Sequence, residues 1–248
     1  MHLRVFDDKT VAGRVAADDG ANCIRDAIAR DGRAIIVVAT GASQFDMLEA
    51  LVRADNIDWS RVTAFHLDEY VGLPVTHPAS FRGYLQQRFV DRLPTLQAFV
   101  PVNGDAPDLA AEVARLNALL RGQRIAVCFA GIGENGHLAF NDPPADFDTR
   151  EPYLVVSLDE ACRRQQLGEG WFPTLADVPA RAISMSIRQM LLADTLILSV
   201  SDARKAAAMK AAIDGPLTPQ CPASILRLHP DCRLYADAAA TKALSVQL

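Results

Sequence analysis

Between Glu134 and Asp142 the chain carries Glu134, Asn135, His137, Asn141 and Asp142. A histidine set among groups that can fix its tautomer is equipped to carry a proton back and forth near neutral pH. Beside it stand Gly131, Gly133 and Gly136, in the spacing G-x-G-x-x-G. Glycines so placed form tight turns that bring backbone N–H groups close to an oxygen-rich ligand, and the same spacing marks dinucleotide-binding turns. The dinucleotide reading fails on the residues beyond Gly136. Its third glycine must open a helix aimed at a pyrophosphate, but here Pro143-Pro144 stops any helix almost at once. The acid that should end the next strand would be Glu151, which instead precedes the apolar run Tyr153–Ser157.

These residues need a scaffold, and the sequence supplies one. Apolar runs rich in β-branched residues recur, each followed by a turn and a segment of helical periodicity, as in a parallel sheet with crossover helices. Strands are expected at Leu3–Phe6, Ala34–Ala39, Val62–Leu67, Ile125–Ala130, Tyr153–Ser157, Ala182–Ser186, Thr195–Val200 and near Arg233–Ala236. Helices are expected at Val11–Ala29, Gln44–Ala54, Leu109–Arg121 and Ala203–Ile213. The fold class is α/β: one doubly wound, mostly parallel, Rossmann-like sheet with helices on both faces, in a single domain over residues 1–248. Such sheets bind ligands beyond the carboxyl ends of their strands. The residues there are Thr40-Gly41-Ala42-Ser43, Asp68-Glu69-Tyr70, Gly131 through Asp142, and the stretch up to Lys205.

Composition excludes several classes of partner. The net charge of -5 gives no electrostatic reason to bind nucleic acid. No apolar run is long enough to span a bilayer, and the N-terminus MHLRVFDDKT lacks the core of a signal peptide. Cys23, Cys128, Cys162, Cys221 and Cys232 are odd in number and scattered, which reads as reduced thiols in a cytoplasmic protein with no zinc motif.

Two stretches together resemble the glucosamine-6-phosphate deaminases, also called glucosamine-6-phosphate isomerases: "FHLDEYVGLPVTHPASF" at 65–81 and "GIGENGHLAFNDP" at 131–143. Weaker similarity extends through "ATGAS" at 39–43, "ARKAAAMKAAIDG" at 203–215 and "CPASILRLHPDC" at 221–232. The resemblance implies conversion of glucosamine 6-phosphate and water to fructose 6-phosphate and ammonia, with no cofactor and no metal. The partner is then a small amino-sugar phosphate, and self-association is left open. Proton transfer on a bound sugar needs a phosphate anchor, a base over carbon 2 and a group that opens the ring.

Residue by residue, Asp68 matches the family's general base, which moves a proton from carbon 2 to carbon 1, and Glu69 a binding-site residue that fixes the loop. His137 matches the ring-opening histidine. Its family partners are acids two positions before and five after, where this chain has Asn135 and the shorter acid Asp142. The resemblance places the phosphate against Thr40, Gly41, Ala42 and Ser43, with Gly133 nearby and Lys205 as the anchoring cation. The family's further phosphate arginine has no counterpart, since Gln166 stands in its place with Arg163 and Arg164 a little earlier; Arg164 could substitute only if its helix were rotated or shifted. Trp171 and Phe172 are expected to pack in the core or at an edge.

Two other functions fit parts of this pattern. A 6-phosphogluconolactonase shares the fold and a related loop, but its pattern has an arginine at Tyr70 and an aspartate at Asn135. A sugar-phosphate sensor would keep the pocket without the chemistry. Some deaminases are hexamers activated by an acetylated amino-sugar phosphate through basic residues after the lid and a C-terminal extension. Here the lid region reads "PPADFDTREPYLVV", with Leu154 and Val155 at the contact positions, and the sequence ends at Leu248, so no such activation is expected.

Overall fold

The structure, a computed structural model, describes residues 1–245. In chain order the elements are β1 (His2–Phe6), α1 (Lys9–Asp31), β2 (Ala34–Val38), α2 (Phe45–Leu51), β3 (Val62–His66), β4 (Asp68–Tyr70), α3 (Phe81–Arg88), β5 (Ala98–Val100), α4 (Leu109–Leu120) and β6 (Val127–Ala130). They continue with β7 (Tyr153–Ser157), α5 (Glu160–Gly168), β8 (Arg181–Met185), α6 (Ile187–Met190), β9 (Thr195–Val200), α7 (Ala206–Asp214), β10 (Cys232–Asp237) and α8 (Ala238–Thr241).

The central sheet runs β1-β10-β9-β6-β2-β3-β5, and every pair in it is parallel. Its inner strands are apolar throughout because both faces are covered. Along β2, Ala34, Ile36 and Val38 turn to the face carrying α1 and α2, while Ile35 and Val37 turn to the face carrying α4 and α7. Each fully buried valine or isoleucine contributes about 1.5–3 kcal/mol, so a charge at Ile36 or Val37 would break the sheet. Helix α1 is punctuated by its own sequence. Asp8 caps its start by accepting from the Thr10 N–H at 2.6 Å, and Gly32 ends it at φ 74°.

The strand order reverses between β2 and β6. From β2 the chain works outward through β3 to β5, and from β6 it works outward in the other direction through β9 and β10. The loops after β2 and β6 therefore diverge and leave a crevice at the carboxyl end of the sheet.

The doubly wound parallel fold stands, with one addition the strand expectations did not contain. Tyr153–Ser157 and Ala182–Ser186 do not join the parallel sheet. They form, with β4, a separate antiparallel sheet of order β4-β8-β7. Two short strands, β4 and β5, carry no signal in the sequence: Asp68-Glu69-Tyr70 is too polar and too short for an apolar period to appear. The chain passes between the sheets at Leu67, whose N–H donates to Val38 O and whose carbonyl accepts from Met185 N, both at 3.0 Å.

Candidate active site

The crevice at the switch point is a cavity of about 270 Å³. Its wall is built from strand ends: residues 39–44 after β2, Leu67 and Asp68 after β3, the loop after β6, Ser201, Asp202, Arg204 and Lys205 after β9, and Asp237 ending β10. Phe81 and Phe140, stacked at 5.7 Å, add an apolar side suited to the carbon face of a sugar.

Asp68 opens β4, held in register opposite Ser184, and its side chain reaches the cavity although the residue is only 6% exposed. Burial first, and then the neighbouring Glu69 carboxylate, push its pKa up to about 8. Glu69 alternates to the other side of the strand, as period-2 geometry requires, and does not line the cavity. Its carboxylate accepts from the N–H groups of Tyr70, Phe81 and Arg82 and from the Ser80 hydroxyl, so it ties β4 to the start of α3. Glu69 thus fixes the loop; its place among the ligand-binding residues is corrected, because all its capacity is spent on that loop.

The glycine loop owes its form to the histidine. A Cβ on Gly133 would lie 2.3 Å from the His137 ring, so only glycine lets the imidazole lie against the turn. Gly136 sits at φ 85°, where other residues are strained. Gly133 lines the cavity, but its N–H is given to His137 O at 2.9 Å, so it is no free donor for a ligand. Asn141 locks the loop onto β8 by donating to the carbonyls of Leu138 and Met185, both at 2.8 Å.

His137 is buried and faces the cavity. Its Nδ1 lies 3.1 Å from Asp142 Oδ1, so the shorter acid does reach the ring, although the approach is off the N–H axis. Asp142 is itself fixed: Oδ2 accepts from Asp159 N at 2.9 Å and Oδ1 from Asn135 Nδ2 at 3.1 Å. Burial alone would raise its pKa, but His137 and these donors outweigh it and hold the carboxyl below its ordinary value. Asn135 also accepts the His137 N–H through Oδ1 at 3.1 Å, and thereby spans the acid and the loop without lining the cavity. The Cys162 thiol joins His137 and Asp142 in a group whose donor atoms lie within 4.8 Å of one another. Burial pushes that thiol far up, and the Asp142 carboxylate is engaged by Asp159 N and Asn135 Nδ2 beside the His137 ring, the arrangement of a histidine–acid pair.

Also lining the cavity, Thr40, Gly41, Ala42 and Ser43 lead from β2 into a 3-10 turn and α2. The Thr40 hydroxyl is buried and has no partner among the described residues. The Ser43 hydroxyl contacts that of Ser201 at 3.1 Å, and Gln44 Nε2 donates to Ala130 O at 2.7 Å and Ser199 O at 3.2 Å, which pins the turn across β6 and β9. Lys205 projects from the turn after β9, is only 8% exposed, and makes no ion pair among the described residues. Burial lowers its pKa, while Glu134 and Glu169 pull it back.

The rotation or shift that would bring Arg164 to the phosphate is not seen. Arg164 is exposed and paired with Glu160, and Arg163 donates to the carbonyls of Leu175 and Val178, so neither lines the cavity. Gln165 and Gln166 line it instead, with Gln166 Oε1 accepting from the Tyr70 hydroxyl at 2.6 Å. Phe172 packs with Tyr70, whereas Trp171 is partly exposed. Sequence reasoning missed Gln44, Gln165 and Arg204 as cavity residues. Arg204 adjoins Lys205 in a stretch already recognised, but in a helical segment nothing in the sequence says which neighbour turns inward.

Residues 7–234 match the family described as glucosamine-6-phosphate isomerases/6-phosphogluconolactonase. A glucosamine-6-phosphate deaminase of Lacticaseibacillus paracasei is 36% identical over 99% of both chains. That of Latilactobacillus sakei is 35% identical over 91% of this chain and 93% of its own. Among solved structures, a monomeric glucosamine-6-phosphate deaminase superimposes with a TM-score of 0.87 at 29% identity, covering 98% of this chain and 100% of that one. A 6-phosphogluconolactonase from Shewanella baltica shares the fold, with a TM-score of 0.80 at 16% identity over 96% of this chain and 98% of its own.

Proposed function

The chain belongs to the glucosamine-6-phosphate isomerase/6-phosphogluconolactonase family, and on that premise we infer that it is a glucosamine-6-phosphate deaminase, converting glucosamine 6-phosphate and water to fructose 6-phosphate and ammonia. The observation that carries this reading is the charge pattern of the cavity. It holds a buried carboxyl, Asp68, and a buried ammonium, Lys205, and neither makes an ion pair among the described residues. Both line the one cavity. Such a site fits a ligand that bears a cation at one end and an anion at the other, as an amino-sugar phosphate does. A lactone phosphate offers nothing to Asp68, and Tyr70, where the lactonase pattern has an arginine, is buried with its hydroxyl spent on Gln166.

The chemistry derives from the placement. His137, steadied by Asp142, moves a proton from the anomeric hydroxyl to the ring oxygen and opens the sugar. A substrate ammonium beside Asp68 favours its ionised form, and the carboxylate then takes the proton from carbon 2 and returns it at carbon 1. The carbon 2 imine so formed adds water and loses ammonia, leaving the ketose. Each group acts as general acid or base and is restored at the end. Five free thiols fit a cytoplasmic setting for this reaction, and no helix among the described residues is long and apolar enough to cross a membrane.

Incubation with glucosamine 6-phosphate should release ammonia and fructose 6-phosphate in equal amounts. Hydrolysis of 6-phosphogluconolactone without ammonia release from any hexosamine phosphate would replace this reading with the lactonase one.

A further inference from the structure

Lys205 alone does not match the charge of a phosphate ester, which is close to a dianion at neutral pH, and α5 presents two glutamines where a second cation would be expected. The geometry points to Arg204 as that cation: it completes the phosphate site beside Lys205 and takes over the task that no arginine of α5 performs. This assignment rests on the sugar-phosphate reading above and adds to it the residue that reads the phosphate.

Three observations carry it. First, Arg204 and Lys205 both line the cavity from one 3-10 turn, Ala203–Lys205. That turn is aimed by Asp202, which sits at φ 88°, a left-handed conformation that a non-glycine residue keeps only when its surroundings impose it. The surroundings are explicit: the Asp202 N–H donates to both Asp237 oxygens, at 3.0 and 3.2 Å, and its carboxylate accepts from Arg204 N at 2.9 Å. Second, the Arg204 guanidinium is already turned toward the cavity's acidic rim. Its side chain is 50% exposed, donates to Asp202 Oδ2 at 3.2 Å and pairs with Glu134 at 3.5 Å, both longer than a tight fork, so a phosphate can compete for it. A phosphate offers the paired oxygens that a guanidinium fork prefers. Third, the buried Thr40 hydroxyl, unpartnered among the described residues, lines the same cavity. Of the other cations, Arg163 and Arg164 face away, and Lys9 reaches the cavity from the exposed start of α1.

The test uses fructose 6-phosphate, with fructose as its counterpart lacking the phosphate, titrated calorimetrically into the parent, R204A, R204Q, R204K, K9A and R164A. R204A and R204Q should weaken fructose 6-phosphate binding by about 10- to 100-fold, the scale of one charge-assisted contact. R204K should recover part of the loss, because it keeps the charge and loses the fork. R164A should bind as the parent does. In turnover, R204A should raise KM by a similar factor and leave kcat within about threefold, since the contact is made equally in ground and transition states. Thermal melts of R204A and R204Q identify any variant that fails to fold, and R204K then decides alone. The assignment is overturned if R204A binds fructose 6-phosphate within about threefold of the parent, if K9A takes the loss instead, or if the parent binds fructose as well as fructose 6-phosphate. A parent that binds fructose 6-phosphate through Arg204 yet frees no ammonia from glucosamine 6-phosphate would refute the deaminase reading and leave this contact standing.

Discussion

Asp68→Asn should stabilise the protein while abolishing its activity, and the size of the gain should depend on pH. The Asp68 carboxyl has an ordinary pKa of 3.8, raised in the folded chain to about 8 by burial and by Glu69. Between those values the folded chain keeps a proton that the unfolded chain has released, so stability falls as pH rises through the window. The raised pKa of an acid thus costs nothing below about pH 4 and reaches its full cost above about pH 8. A shift of about four units corresponds to a ceiling of about 5–6 kcal/mol; with water entering the open cavity and the chain relaxing, about 2–3 kcal/mol is the expected effect. Asparagine has the same shape and does not titrate. The variant should therefore melt with the parent near pH 4 and about 5–10 °C above it at pH 8–9. Calorimetric melts of both proteins across that range measure the difference directly. At pH 8 the variant should have lost about 100- to 10,000-fold in turnover and in solvent-hydrogen exchange at carbon 2, as loss of a general base implies. A melting difference that is flat with pH, or a variant less stable than the parent at pH 8, would refute the assignment of Asp68 as a buried carboxyl carried for function.

His137→Ala should slow the closed-ring sugar more than an open-chain analogue, as stopped-flow rates on both would show; equal slowing would remove ring opening from its role. Asp142→Glu should lower kcat by about tenfold instead of improving it, because the aspartate already reaches Nδ1 at 3.1 Å with its other oxygen held by Asp159 N. Recovery or gain of activity in that variant would mean that the aspartate under-reaches in the working enzyme. Rate against substrate concentration should be hyperbolic and unmoved by N-acetylglucosamine 6-phosphate, since Leu154 and Val155 on β7 offer an activator no polar contact to prefer one state by; sigmoidal curves that this compound straightens would contradict it.

Period and composition alone were enough for the α/β class, because a strand buried on both faces must be apolar at every position, as Ala34–Val38 is. Asp68 and His137 were legible for a different reason: each stands just past a strand, where the parallel fold puts its ligands, in stretches whose residue types suit proton transfer. What sequence could not carry is direction. Glu69 adjoins Asp68 and is equally acidic, and only the pleat of β4 sends one into the cavity and the other into the loop. Asp142 looked one methylene short, and only the folding of the glycine loop against β8 and Asp159 brings it to the imidazole. Arg164 and Arg204 are both arginines near recognised motifs; the turn of α5 sends the first to solvent, while the strained turn at Asp202 sets the second beside Lys205. A side chain's identity is local, but where it points depends on contacts between residues far apart in the chain, and those exist only once the two sheets have been assembled.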